Sequence, residues 1–176
     1  MKHVFRSSLL VLLALVFAVC GAACSGSGGS GEADTTREPT PHKSAQEVYE
    51  DVLAVSGFGN MTLVTNRDYA EIYGIDLNKI SKEDHVWYVS ENVSLNADEV
   101  VILRVEKEEY LDTLVTLLQK HLDTRLAVAE TYSPEEAAKL KNVEIATAKN
   151  STGLWVYYCV GENYTKMMGV LRTDIG

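Results

Sequence analysis

KEEYLDTLVTLLQKHLDTRLAVAETY, residues 107–132, is the longest periodic stretch of the chain, and its reading decides the fold. Leu111, Leu114, Val115, Leu118, Leu122, Leu126 and Ala129 recur every three or four residues and form one apolar stripe. Asp112, Thr116, Gln119, Lys120, Asp123 and Thr124 fall elsewhere on the helix. A helix of this length runs about 39 Å. A domain made of residues 44–176 has a diameter of roughly 36 Å. The helix therefore crosses the whole domain or bends near its C-terminal end.

Working backwards from the helix, residues 85–93 and 100–106 read as strands, and the short link 94–98 predicts an antiparallel hairpin. In the first strand Trp87 and Val89 share one face, and Val86 and Tyr88 the other. Both faces are partly apolar, so this is an interior strand covered on each side, or one covered by the N-terminal helices. Further back, residues 75–84 form a polar turn region, with Ser81 to Asp84 as a possible capping motif. A short helix is expected over residues 67–73, ended by Gly74 in a left-handed position. Ser44 and Glu47 make a capping box for a first helix carrying Ala45, Val48, Tyr49, Val52 and Leu53, stopped by Gly57.

Working forwards, Ser133, Pro134 and Glu136 have the spacing of another capping box with proline at the first helical position. A short helix should end near Lys141. Residues 143–149 and 154–160 are two more strands, joined by a tight turn at 150–153. Residues 163–172 close the chain as a helix with Met167, Met168 and Leu171 as its apolar contacts. The expected fold is α+β: a four-stranded antiparallel or mixed sheet, built from two β-hairpins, with helices packed on it.

The first 24 residues belong to a different part of the molecule's biology. Lys2 and Arg6 precede an unbroken apolar run over residues 9–20, and Gly21, Ala22 and Ala23 lead to Cys24. This is the layout of a secretory signal peptide. As a helix the apolar run would be about 18 Å long, short against a bilayer core of roughly 30 Å. Ala22, Ala23 and Cys24 resemble a bacterial lipobox, although Gly21 stands where leucine is usual. The resemblance implies cleavage after Ala23 and diacylglyceryl on Cys24, and two acyl chains suffice for stable attachment. Residues 25–43 hold a Gly/Ser run and then Thr, Pro and charge, with no apolar periodicity. They read as a flexible tether spanning roughly 24 Å, which leaves residues 44–176 as a single domain.

The formal net charge is −9. Removing residues 1–24, which carry two cations and no acid, takes it to −11. That acidity argues against nucleic acid as a partner and against electrostatic adhesion to anionic headgroups. Cys159 is the one cysteine beyond Cys24, so the domain forms no internal disulfide, and its apolar setting is that of a small core residue. Asn60, Asn92, Asn150 and Asn163 each begin an N-x-S/T sequon, which carries no meaning in the bacterial setting that a lipobox implies.

Candidate site residues are few. Trp87, Tyr88, Trp155 and Tyr157, with Tyr158, place aromatics on two strands, and a face of them left uncovered would form a glycan or peptide platform; the competing reading is that helices cover both faces. Asp76 and Asp98 could serve as an acid and a base if the fold brought them together; the competing reading is turn chemistry. Adjacent Asp98 and Glu99 point to opposite faces of a strand and are not themselves a pair. Glu106, Glu108 and Glu109 gather at the start of the long helix, where the dipole favours negative charge. They lack the loop that calcium requires. His85 and His121 are isolated in sequence, and no metal-ligand cluster, cofactor fingerprint or catalytic motif is found.

Tyr73-Gly74-Ile75-Asp76 after a short helix, Asn96-Ala97-Asp98-Glu99-Val100 leading into a strand, then the long helix and a final hairpin resemble the bacterial lipoproteins catalogued as domain of unknown function 4358. The resemblance spans about residues 44–172. It implies an extracytoplasmic, lipid-anchored protein, mostly of Gram-positive gut bacteria, and it implies no activity. The expectation is a non-catalytic binding or accessory module at the outer face of the membrane, with an envelope protein or glycan as partner. The alternatives are an envelope hydrolase using carboxylates and a small-ligand or sensory lipoprotein.

Overall fold

The computed structural model describes residues 42–176. The leader, with Ala23 and Cys24, and nearly all of the tether lie outside the described residues. The elements in chain order are α1 (Ala45–Ser56), β1 (Met61–Leu63), α2 (Asn66–Glu71), a 3-10 turn (Leu77–Lys79), β2 (Ile80–Ser90) and β3 (Glu99–Val105). A second 3-10 turn (Glu108–Tyr110) then leads into α3 (Leu111–Tyr132), α4 (Pro134–Leu140), β4 (Ala146–Asn150), β5 (Gly153–Val160) and α5 (Tyr164–Ile175). The fold is α+β, with one open antiparallel sheet in the order β1-β2-β3-β5-β4.

β3 is the middle strand, and its near-continuous apolar run follows from that position. Val100 and Ile102 face one way, Val101 and Leu103 the other, and all four are fully buried. On one face α1 and α5 cover Val86, Val100, Ile102, Trp155, Tyr157 and Cys159 with Val48, Val52, Met167, Met168 and Leu171. On the other, α2, α3 and α4 bring Tyr69, Leu114, Leu118, Leu122 and Leu140 onto Trp87, Val101, Leu103 and Tyr158. The alternation expected along β2, Trp87 and Val89 against Val86 and Tyr88, divides those residues between the two cores.

α3 has 22 residues, and its buried line is Leu114, Leu118 and Leu122. Leu111, Val115, Leu126 and Ala129 flank that line, partly buried. Residues 107–110, expected within the helix, form the preceding 3-10 turn instead. α1 carries the expected capping box, with Ser44 Oγ accepting from Glu47 N and Glu47 accepting from Ser44 N at 2.7 Å. Gly57 ends it at φ 73°, the left-handed conformation that glycine adopts without strain. Leu53, expected on the buried stripe, is exposed.

The sheet has five strands where four were expected. β1 is three residues long, too short to register as an alternating pattern, and it forms because Met61 and Leu63 find partners in Ser90 and Tyr88 of β2. β2 also begins five residues before the expected start. The polar stretch around Ser81 is a bulge within it, where the register slips between Ile80 and His85. Ser81 Oγ accepts from the amides of Glu83 and Asp84 at 3.3 and 3.1 Å, so the capping chemistry is present but closes a bulge rather than opening a helix.

The capping box expected at Ser133 does not form. Ser133 ends α3, donating its N–H to Ala129 O at 2.7 Å, and its φ and ψ of −151° and 80° leave its hydroxyl without a capping bond. Glu136 turns away and accepts from the backbone of Ala97 at 2.6 Å. The amide of a buried loop residue competes successfully for the carboxylate, because an unpaired buried N–H is costly.

Candidate functional site

Glu99 opens β3 on the α3 side of the sheet and is completely buried. One carboxylate oxygen accepts from Trp87 Nε1 on β2 and from His121 Nε2 on α3, the latter at 2.9 Å. The other accepts from Arg125 Nη1, one helical turn beyond His121. The i, i+4 spacing of His121 and Arg125 puts both on one face of α3, so a single carboxylate ties helix to sheet at two points. Tyr73 stacks on Trp87 at 4.2 Å between ring centroids and meets His121 edge-on at 4.9 Å.

Burial by itself would raise the Glu99 carboxyl, but the charge and hydrogen bond of His121, then Arg125 and Trp87, outweigh it and hold the group below the usual glutamate range. Tyr158, diagonal to Glu99 across β3 and β5, has its hydroxyl buried beside that carboxylate. Burial and then the nearby Glu99 charge push that phenol well above its ordinary value.

His121 and Arg125 also reach the surface, each lining a separate hollow with Thr124 between them. Tyr73, Ile72, Leu117 and Lys120 complete the His121 hollow, of about 190 Å³. Arg125 stands in a groove of about 170 Å³ between the C-terminal half of α3, α4 and the loop before β3. Val93 and Leu95 form one wall of the groove, Val128 and Tyr132 the other, and Ala97, Ala129 and Leu140 lie deeper. Among the described residues seven large hydrophobics are exposed, and five of them fall here: Ile72 66%, Val93 55%, Leu95 70%, Val128 55% and Tyr132 81%. These side chains form an exposed apolar patch, larger than scattered surface hydrophobics make.

The site residues expected from sequence are distributed differently. Trp87 and Trp155 are fully buried and Tyr157 nearly so, so these aromatics form no uncovered platform. α1 and α5 cover Trp155 and Tyr157, and α2 and α3 cover Trp87. Tyr88, half-buried, stacks on Tyr49 of α1 at 3.8 Å. Asp76 caps the 3-10 turn, accepting from Asn78 N at 3.0 Å, and leads into the end of β2 that pairs with Val105. Asp98 precedes the other end of β3 and is paired with Lys139 of α4 at 3.2 Å. The length of β3, about 20 Å, separates the two aspartates, so they share no cleft and form no acid–base pair. Both do the turn and packing chemistry that competed with the catalytic reading.

Glu108 of the acidic group pairs with Lys149, and Glu106 with Arg104. Burial pushes the Cys159 thiol up to about 12, leaving no thiolate at neutral pH.

Glu99, His121 and Arg125 were not joined by sequence reasoning. The available signals were a glutamate at the head of an otherwise apolar strand and two basic side chains four apart beside the apolar stripe. A family model, that of a domain of unknown function (DUF4358), matches residues 54–160. No curated protein and no solved structure matches the chain.

Proposed function

The chain belongs to the DUF4358 family, and on that premise we propose that it is a bacterial cell-envelope lipoprotein whose domain is a non-catalytic binding or accessory module. In this reading Cys24 carries diacylglyceryl and holds the chain at the extracytoplasmic face of the membrane. Residues 25–43 give the domain its reach. The leader, the cysteine after Ala22 and Ala23, and the Gly/Ser run support the anchor. Among the described residues no helix is long and apolar enough to cross a membrane.

The observation that carries the binding role is the groove of α3, α4 and the loop before β3, with its exposed apolar walls. Its volume of about 170 Å³ is below the roughly 300–1,000 Å³ of sites that enclose a small molecule. It suits one or two side chains of a protein partner. The binding reading is preferred to a hydrolytic one because Asp76 and Asp98 flank opposite ends of β3.

The test is chemical crosslinking of the full chain in living cells, comparing wild type with Leu95→Asp. The expected result is one dominant partner, lost in the variant and lost when Cys24→Ser releases the chain. Turnover of an envelope substrate by the purified chain, abolished by a point substitution, would overturn the reading.

A further inference from the structure

We infer that the domain stands on the membrane with its β4–β5 turn inward and the groove outward; this rests on the lipid-anchor reading and gives it an orientation.

The chain enters the domain at one end of the sheet. Lys43 Nζ donates to Asp51 of α1 at 2.7 Å and to Asp174 of α5 at 3.1 Å. The ring of His42 lies against Trp155, with 5.2 Å between centroids. Trp155 pairs with Arg104, next to the Val105 end of β3. Asn150, in the turn between β4 and β5, donates to Ile175 O at 2.6 Å. The start of α1, the end of α5 and the β4–β5 turn therefore meet at the Val105 end, and residues 42 and 43 are strapped down there.

The groove is at the other end. α3 runs back along the sheet from Val105, so that Arg125 meets Glu99 at the start of β3, and the loop before β3 arrives at the same place. α1 also runs toward this end, where Asn163 donates to Ser56 O at 2.9 Å just beyond β5. The two ends are separated by the length of β3, roughly 20 Å, and α3 itself runs about 33 Å.

The surfaces of the two ends differ. Lys107, Glu108, Glu109, Asp112 and Lys149 are exposed at the entry end. Among the described residues none of the exposed large hydrophobics lies there, whereas Val93, Leu95, Val128 and Tyr132 crowd the far end. Reach points the same way. Residues 25–41, read from sequence as a coil, have a relaxed span of roughly 23 Å. Turning the groove to the bilayer would make that coil run the length of the domain, about 33 Å along α3, at a cost in chain entropy. His42 and Lys43, held on the domain, add nothing to the span. The groove is thus presented to the side away from the lipid.

The experiment reconstitutes the full chain, acylated at Cys24, in phosphatidylcholine vesicles that carry a lipid-bound energy-transfer acceptor. A donor dye is attached at Ser151→Cys, at the entry end, or at Ser94→Cys, beside the groove; both serines are exposed and Cys159 is buried. The dye at 94 should lie further from the bilayer than the dye at 151 by about 10 Å or more on average, half the length of β3. Duplicating residues 25–41 raises the relaxed span to roughly 32 Å, close to the length of the domain, and should shrink that difference.

Equal distances, or a dye at 94 nearer the bilayer than one at 151, overturn the inference. So does a difference that duplication of the tether leaves unchanged, since tether length would then not be what orients the domain. Mass spectrometry of the purified chain before reconstitution tests the premise separately: a Cys24 without acyl groups would sink the anchor reading, and the orientation with it.

Discussion

Glu99 is the residue on which most of the α3 side depends, because a buried carboxylate is tolerated only while its donors are in place. Glu99→Ala would leave the Trp87 N–H, His121 and Arg125 without their acceptor and is expected to cost about 3–5 kcal/mol. Glu99→Gln keeps the shape but cannot accept from all three donors, and should cost roughly 2 kcal/mol; urea unfolding of both variants measures this. The pH dependence follows from the direction of the shift. The carboxyl titrates lower in the fold than in the unfolded chain, so its stabilisation is fully present above the usual glutamate value of 4.5 and is lost as pH falls through the folded value. The acid limb of the stability profile should therefore be shallower in Glu99→Gln than in wild type; equal limbs would contradict the ion cluster. Sequence shows Glu99 as a strand-opening acid, but its partners lie 12, 22 and 26 residues away. No local pattern connects them.

At the scale of elements, α4 is attached less by its own cap than by what its acids and base reach. Glu136 holds the Ala97 amide, and Lys139 bridges Glu136 and Asp98. Burial would lower the Lys139 ammonium, yet the hydrogen bonds to Glu136 and Asp98 raise it. Glu136→Ala should leave the buried Ala97 N–H unpaired, costing about 1–3 kcal/mol. It should also speed hydrogen exchange through the loop before β3, while β4 and α5 keep wild-type protection. Uniform exchange rates would show that the contact does not hold the loop. The Ser133-x-x-Glu136 spacing reads as a capping box in sequence. It fails because Ser133 is shared with the end of α3, and because Ala97, 39 residues away, offers Glu136 a buried donor. The box at Ser44 forms as its spacing predicts, since among the described residues no second helix claims its capping residue. The bulge in β2 is a similar case, in which the hydroxyl chemistry of Ser81 is local and its strand context is not.

Across the whole molecule, the two faces of the sheet carry different tasks. α1 and α5 seal one face, with Trp155, Tyr157 and Cys159 beneath them. α3 and α4 seal the other and leave a groove open. Leu95→Asp and Val128→Asp lie on exposed surface, so each should stay within about 0.5 kcal/mol of wild-type stability while losing the partner. A large loss of stability would identify the groove as core instead. Cys24→Ser should shift the protein from the membrane fraction to the soluble one, since two acyl chains are needed for lasting attachment; a chain that stays with the membrane would contradict the lipid anchor. By itself the sequence determined the α+β class, the stripe of α3, both hairpins and the burial alternation of β2, because these follow from periodicities of 3.6 and 2 within a few residues. The proposal of a leader likewise rests on a purely local signal. Tertiary structure alone decided the fifth strand, the joining of Glu99 to Trp87, His121 and Arg125, and the groove. Each of those depends on which distant surfaces meet, and periodicity within one segment reports that a face is apolar, not what comes to cover it.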